Sequence, residues 1–510
     1  MLVALVSAVV APVAALAAQE ADPPPDWAAL AAERLPSLEI CTLPSIDEPL
    51  LCGTLEVPES RDQPEGRRIG LNVVVVPAQS AEPPPEAVFI FEGGPGGAAT
   101  KRAGGSVWAG RVRARDIVLV DQRGTGASHP LDCDLGGGMD EQPGVLRDMF
   151  PPDDVRECAA SLATGADLTR YTSIEHADDI EDVRRRLGYD AIHLRGGSYG
   201  TAAMMTFAQR HPESVRTMFG IGLNSPLRSN LAERGPMTER ALGRLTELCD
   251  GDEACAGVGR DLDGRIAALL AALEAEPRTV RIADPQADGE PLDLVLTHDW
   301  MAEMLRLNLY FGFTSRALPW AVGRAQAGDW EPLTQMAILV QRMFRSTLSY
   351  GVLLTVQCSE FMDFDVDAAL ERGSETIFGN YRLEQQVQGC AAWPHQRRHR
   401  LGVEEPRALD VPTLLLSGYL DPVTPPDYAE EVRTLFPNTL HVVLPEGHHG
   451  PFDLENSWTC VHDMWADLIE RRDPDAIDTT CTAEMLRAPW VVDVAGFATY
   501  LDEVLLPMIG

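Results

Sequence analysis

Gly196-Gly197-Ser198-Tyr199-Gly200 lies between an apolar run, Ala191 to Leu194, and a helix-compatible stretch, Thr201 to Arg210. A buried strand that turns sharply and leaves as a helix is the setting of a nucleophile elbow. Gly at the flanking positions lets the two elements pack closely while the central Ser is held strained and exposed. Glycine fills 43 of the 510 positions, so a GxSxG pentapeptide alone carries little weight and its surroundings decide.

Upstream, the four apolar residues Val88 to Phe91 read as a buried strand that runs into Glu92-Gly93-Gly94-Pro95-Gly96-Gly97. Acyl transfer builds negative charge on a carbonyl oxygen, and a Gly-rich backbone brings N–H donors to it with no side chain in the way. The Gly94 and Tyr199 amides are the expected oxyanion donors. A phosphate loop is disfavoured, because Thr100-Lys101 does not complete the GxxxxGK[ST] pattern. Downstream, Val411 to Ser417 is a further buried strand leading to Asp421, and Leu440 to Leu444 leads to Gly447-His448-His449-Gly450. The order Ser, acid, His, each at the end of an apolar run, is that of an α/β-hydrolase fold. In it Ser198 attacks, a histidine takes its proton, and Asp421 fixes the imidazole tautomer.

Taken together, Gly93 to Gly97, Asp121-Gln122-Arg123-Gly124-Thr125-Gly126-Ala127-Ser128, Gly196 to Thr201 and Asp421-Pro422-Val423-Thr424-Pro425 resemble the successive signatures of one family. It comprises the α/β-hydrolase peptidases that include proline iminopeptidases and secreted bacterial tripeptidyl aminopeptidases. In that family the catalytic histidine follows a Gly, which here selects His448, and lies four residues after a Pro, which selects His449; we assign His449. Glu92 stands where the intracellular iminopeptidases carry His, which favours the secreted branch. Val356-Gln357-Cys358-Ser359-Glu360 also resembles the related aminopeptidases, which need a carboxylate for the substrate's free α-amino group. Glu360 is the candidate, with Glu92 as a second.

About 180 residues separate the strand Met218 to Leu223 from the one beginning near Val411, too many for a loop, and they show little strand-like patterning. Amphipathic periodicity over Met237–Cys249, Leu262–Glu274, His298–Leu307 and Tyr381–Gln388 predicts a large, mainly helical cap inserted before the acid-bearing strand. The expected division is a signal peptide over 1–18, a hydrolase core over 19–225, a cap over 226–405 and the rest of the core over 406–510. Arg123 is read as a buried structural ion pair, the helix Ser173 to Gly188 as packing beside the nucleophile strand, and Trp393 to Arg400 as a basic surface segment. Its two histidines lack an acidic co-ligand, so no metal is expected.

The formal charge of −35 disfavours nucleic acid and anionic membrane surfaces as partners. The apolar stretch Met1 to Ala18, with Ala15-Leu16-Ala17 as a cleavage site, reads as a signal peptide rather than an anchor. The ten cysteines then suggest disulfides formed in the periplasm or outside the cell. Neighbour pairing gives Cys41–Cys52, Cys133–Cys158, Cys249–Cys255, Cys358–Cys390 and Cys460–Cys481. The expected activity is a cofactor-free serine peptidase acting on peptides with a free N-terminus, without stable membrane association and with an oligomeric state left open. A carboxylesterase or lipase is the alternative, and a non-catalytic hydrolase-fold binding protein the remote one.

Overall fold

The computed structural model describes residues 25–133, 135, 148–286, 291–451 and 453–507; the predicted signal peptide lies outside them. Eleven strands are present among these residues: β1 (Glu39–Leu43), β2 (Ile46–Pro58), β3 (Arg68–Val76), β4 (Glu86–Phe91), β5 (Ile117–Val120), β6 (Ala191–Gly197), β7 (Val215–Ile221), β8 (Arg278–Ala283), β9 (Pro291–Leu296), β10 (Thr413–Gly418) and β11 (Thr439–Leu444). Nine of them form one sheet in the order β1-β2-β3-β5-β4-β6-β7-β10-β11. The pairings from β5 through β11 are parallel, and those joining β1, β2, β3 and β5 are antiparallel.

The central strands are apolar without alternation because both faces are covered. One face carries the helices Ser173–Leu187 and Tyr199–Arg210 over a core that includes Phe89, Leu194 and Met204. The other carries the helix Ser457–Arg471 over Val88, Phe219 and Leu416. The helix Ser173–Leu187 is capped as its sequence requires: the Thr172 hydroxyl accepts from the Ile174 N–H, and Gly188 closes it at φ 78°, a left-handed conformation that favours Gly. This is the mostly parallel, helix-flanked sheet of an α/β-hydrolase.

Between β7 and β10 the chain is mainly helical, with helices at Arg234–Gly251, Leu262–Ala275, His298–Asn308 and Tyr381–Ala392 covering the four predicted amphipathic segments. The inserted segment also contains one antiparallel hairpin, β8 with β9, which the sequence reading did not single out. Val280, Ile282, Leu292, Leu294 and Leu296 are its buried positions and alternate with exposed ones. That period-2 pattern spans only six residues per strand and is short against the helical patterns around it. The insert has an apolar core of its own, and Trp490, Val491, Phe497, Tyr500 and Leu505 from the end of the described chain join it. The C-terminal segment therefore packs on the inserted segment.

All ten cysteines pair as neighbour order predicts. Arg123 makes the expected buried ion pair, its Nε and Nη2 donating to the two Asp179 oxygens at 2.7 Å each. The tract Trp393 to Arg400 is corrected in part. Trp393 is buried and donates to Thr355 Oγ1, and Arg400 is buried with its Nε on the Glu360 carbonyl at 2.9 Å. Backbone carbonyls at a helix end need donors, and Arg400 supplies one after the helix Tyr350–Glu360.

Candidate active site

Ser198 sits between β6 and the helix Tyr199–Arg210 at φ 52° and ψ −126°, a backbone conformation that L side chains rarely adopt and that surrounding structure must impose. Its amide donates to the Ile221 carbonyl at the end of β7 (2.9 Å), and its carbonyl accepts the Thr201 hydroxyl (2.6 Å). The flanking glycines are required sterically. A Cβ on Gly200 would overlap the Phe91 carbonyl oxygen, and one on Gly196 would stand 2.6 Å from the Gly200 oxygen. The elbow is thus wedged against the end of β4, the strand that leads into the glycine-rich loop.

That loop reaches the serine directly. A Cβ built on Gly93 would lie 3.2 Å from Ser198 Cβ, so side-chain-free backbone faces the nucleophile. Gly94 adopts φ 118° and Gly96 φ 105°, and the Gly94–Pro95 peptide is cis. The Gly96 carbonyl accepts the Ser349 N–H at 2.9 Å, tying the loop to the inserted segment. Tyr199 is the first residue of its helix, so its N–H has no intrahelical acceptor and lies at the positive end of the helix dipole.

Asp421 follows β10 and is 1% exposed. Its Oδ1 accepts the Val423 and Thr424 amides, both at 2.8 Å, and its Oδ2 accepts the Thr424 hydroxyl at 2.6 Å and faces His449 Nδ1 at 2.8 Å. Burial pushes the carboxyl pKa up, but the His449 ring and the Thr424 donors outweigh it and hold it below the usual carboxylate range. His449 is fixed from three sides: Asp421 at Nδ1, its backbone N–H on the Tyr310 carbonyl at 2.9 Å, and the Tyr310 ring packed across it at 5.2 Å between centroids. A Cβ on Gly222, the residue after β7, would be 3.3 Å from His449 Cε1. Because Ser198 bonds to Ile221 and His449 packs on Gly222, the elbow and the Asp–His pair converge on one strand end.

The neighbouring histidine is engaged elsewhere. His448 is buried, with Nδ1 2.9 Å from the Leu309 carbonyl and Nε2 3.0 Å from Ser315 Oγ, and burial lowers its pKa. Of the two, His449 is the one that meets Asp421.

Glu360 is 1% exposed and lies under the elbow. Its oxygens accept the Ser173 N–H at 2.7 Å and the Ser173 hydroxyl at 2.6 Å, and Ser173 Oγ lies 2.7 Å from the Tyr199 hydroxyl, to which Gln122 also donates at 3.3 Å. Burial raises the Glu360 pKa to about 8 even though the Ser173 donors lower it. Glu92, at the mouth of the glycine-rich loop, forms a two-pronged ion pair with Arg102, both contacts 2.8 Å, which holds its pKa down against burial. Both carboxylates therefore have partners within the protein.

Sequence reasoning passed over Tyr310, which fixes His449 from the inserted segment, and the aromatic wall around it: Tyr310 meets Phe344 at 5.0 Å, and Phe311 stacks on Phe313 at 4.9 Å. No motif marks these rings; only the tertiary return of the insert brings them to the histidine.

Comparison with known proteins places the chain among the α/β-hydrolases. A family described as alpha/beta hydrolase fold matches residues 86–240, from β4 through the elbow, and one described as TAP-like protein matches residues 374–481, which contain Asp421 and His449. The tripeptidyl aminopeptidase of Streptomyces coelicolor is 24% identical over 483 residues, covering 87% of this chain and 85% of that protein. The serine protease Hip1 of Mycobacterium bovis is 24% identical over 448 residues, covering 78% and 82%. The proline iminopeptidase of Neisseria gonorrhoeae is 29% identical over 138 residues, covering 27% of this chain and 33% of that protein.

Proposed function

Starting from a chain that is an α/β-hydrolase with peptidases among its relatives, we propose that it is an exported serine peptidase that removes residues from the free N-terminus of peptides. The observation that carries the reading is the Asp421–His449 contact at 2.8 Å beside an elbow serine held at positive φ. Ser198 Oγ attacks the scissile carbonyl while His449 Nε2 takes its proton. Asp421 keeps the proton on Nδ1 and stabilises the imidazolium. The Tyr199 and Gly94 amides receive the oxyanion. His449 then protonates the leaving amine, and water attacks the acyl-enzyme by the same route in reverse. Nothing in this sequence of steps calls for a metal or organic cofactor.

Cleavage from the N-terminus is supported by the names of the relatives, tripeptidyl aminopeptidase and proline iminopeptidase. Export to the periplasm or beyond is supported by the five disulfides. With Glu360 and Glu92 both engaged inside the protein, we assign Glu360 to support of the elbow and Glu92 to the loop mouth. The test is release of fluorophore from free and N-acetylated aminoacyl, dipeptidyl and tripeptidyl amides, beside p-nitrophenyl esters, by wild type and Ser198→Ala. Turnover of the free-amine peptides alone, lost in the variant, supports the proposal. Ester turnover without peptide turnover moves the chain to the carboxylesterases.

A further inference from the structure

At the hydroxyl end of Tyr310 the inserted segment holds a cavity lined by Arg234, Glu303, Arg306, Tyr381 and Arg382 among others. Its charges do not balance: three arginines face one glutamate. That glutamate is already taken, since Arg306 Nε donates to Glu303 Oε2 at 2.7 Å and its Nη2 to Oε1 at 2.5 Å. Arg382 is buried, and its nearest polar partner is the neutral Gln386 amide oxygen at 3.1 Å. Arg234 Nε is buried with no hydrogen-bond partner. Among the described residues no carboxylate lies within ion-pair distance of Arg234 or Arg382; the Glu303 charge reaches both through space, and the Tyr310 hydroxyl also bonds Arg234.

Excess positive charge taken out of water is costly unless an anion joins it. Here the cost is visible in the arginines themselves: burial and the neighbouring Arg234 pull the Arg382 pKa down to about 9, and burial lowers that of Arg234 too. The cluster is the more conspicuous in a chain whose formal charge is −35, where carboxylates are abundant and were available to neutralise it. The cluster touches the candidate site through one ring. Tyr310 packs its ring against His449 at 5.2 Å and accepts from Arg306 Nη1 at 3.1 Å through its hydroxyl. One side chain therefore lies between the cationic cluster and the candidate general base.

We propose that Arg234, Arg306 and Arg382 form a subsite for a carboxylate of the peptide substrate, either its C-terminus or an acidic side chain close to the scissile bond. Guanidinium groups suit such a ligand because they stay charged and offer forked donors that match carboxylate geometry. A substrate ammonium is the wrong occupant, since it would add charge to a site already in positive excess. The inference rests on the peptidase reading and specifies which peptides that site prefers.

The test compares kcat/KM for free-amine peptides in matched pairs: C-terminal acid against C-terminal amide, and Glu against Gln at each position beside the scissile bond. Wild type should favour at least one carboxylate-bearing member by about 10-fold or more, and the responding pair identifies the source of the carboxylate. In Arg382→Gln, and independently in Arg234→Gln, that ratio should fall toward one, chiefly through KM. Two variants are used because Arg382 is the more deeply buried; thermal unfolding reports whether each is folded. Brisk turnover of the neutral peptides by wild type with no carboxylate preference in any pair overturns the subsite and leaves the peptidase reading standing. Absence of turnover for every peptide overturns both.

Discussion

Replacing Asp421 by Asn tests the proposed triad with almost no change of shape. In the native arrangement Oδ1 accepts two backbone amides, from Val423 and Thr424 at 2.8 Å each, and Oδ2 faces His449 Nδ1 at 2.8 Å. An asparagine must put its carbonyl oxygen where those two N–H groups point, because its NH2 cannot accept from them. The NH2 is then forced toward His449 Nδ1, which must become the acceptor. The imidazole proton moves to Nε2, the nitrogen that should receive the Ser198 proton, and the base is blocked. Loss of the correct tautomer in a serine triad costs about 10⁴-fold in kcat, or roughly 5.5 kcal/mol of transition-state stabilisation. The same flip leaves the Thr424 hydroxyl, 2.6 Å from Oδ2, facing a donor; it can accept from that NH2 while its proton turns toward His449 Nδ1, 3.0 Å away, so the cost in stability is small. The assay is steady-state hydrolysis of the best free-amine amide substrate, with thermal unfolding in parallel. The expected result is a collapse of kcat with only a small fall in unfolding midpoint. A variant that keeps more than about a tenth of wild-type kcat refutes the assignment of Asp421 as the group that orients the base.

Further outcomes follow from the same geometry. Ser198→Gly removes a side chain held at φ 52°, so it should abolish fluorophosphonate labelling and yet raise the unfolding midpoint, through relief of about 1 kcal/mol of backbone strain; a lower midpoint would argue against a strained elbow. Gly200→Ala places a methyl group against the Phe91 carbonyl oxygen and should yield either insoluble protein or a folded one without labelling; normal labelling and activity would contradict the close packing of the elbow on the end of β4. Glu360, raised to about 8 by burial, binds more protons in the folded state than in the unfolded state between its ordinary value and about 8. Its contribution to stability is therefore present in acid and lost as pH rises through that window. Glu360→Gln can still accept the Ser173 N–H and, as a neutral group, should flatten the fall in unfolding midpoint between about pH 5 and 8; an unchanged pH profile would count against a buried, proton-linked Glu360.

The parts of the fold that could be read in advance are those whose physics is local. Buried parallel strands leave short apolar runs, so β4, β6, β7, β10 and β11 were each legible within a few residues, and the glycines at 93 to 97 and 196 to 200 marked where backbone must approach backbone. The hairpin β8–β9 was hidden because six-residue alternation is brief beside long helical periods. The packing of Trp490 to Leu505 onto the insert was hidden for another reason: an apolar segment shows that it will be buried but not against which neighbour. The same limit governs the site. Ser198, Asp421 and the histidine pair stand at strand ends, where order along the chain constrains order in space, whereas Tyr310 and the three arginines come from helices and turns whose positions depend on how the insert folds back. Glu360 shows how far the two kinds of information diverge. Its sequence neighbourhood suggested a ligand for an ammonium, but its surroundings supply an N–H and a hydroxyl from the start of a helix, which are partners a carboxylate keeps for itself. Charge recognition in this protein is therefore to be sought where the partners run out, and among the described residues of the insert that is the arginine cluster at the hydroxyl end of Tyr310.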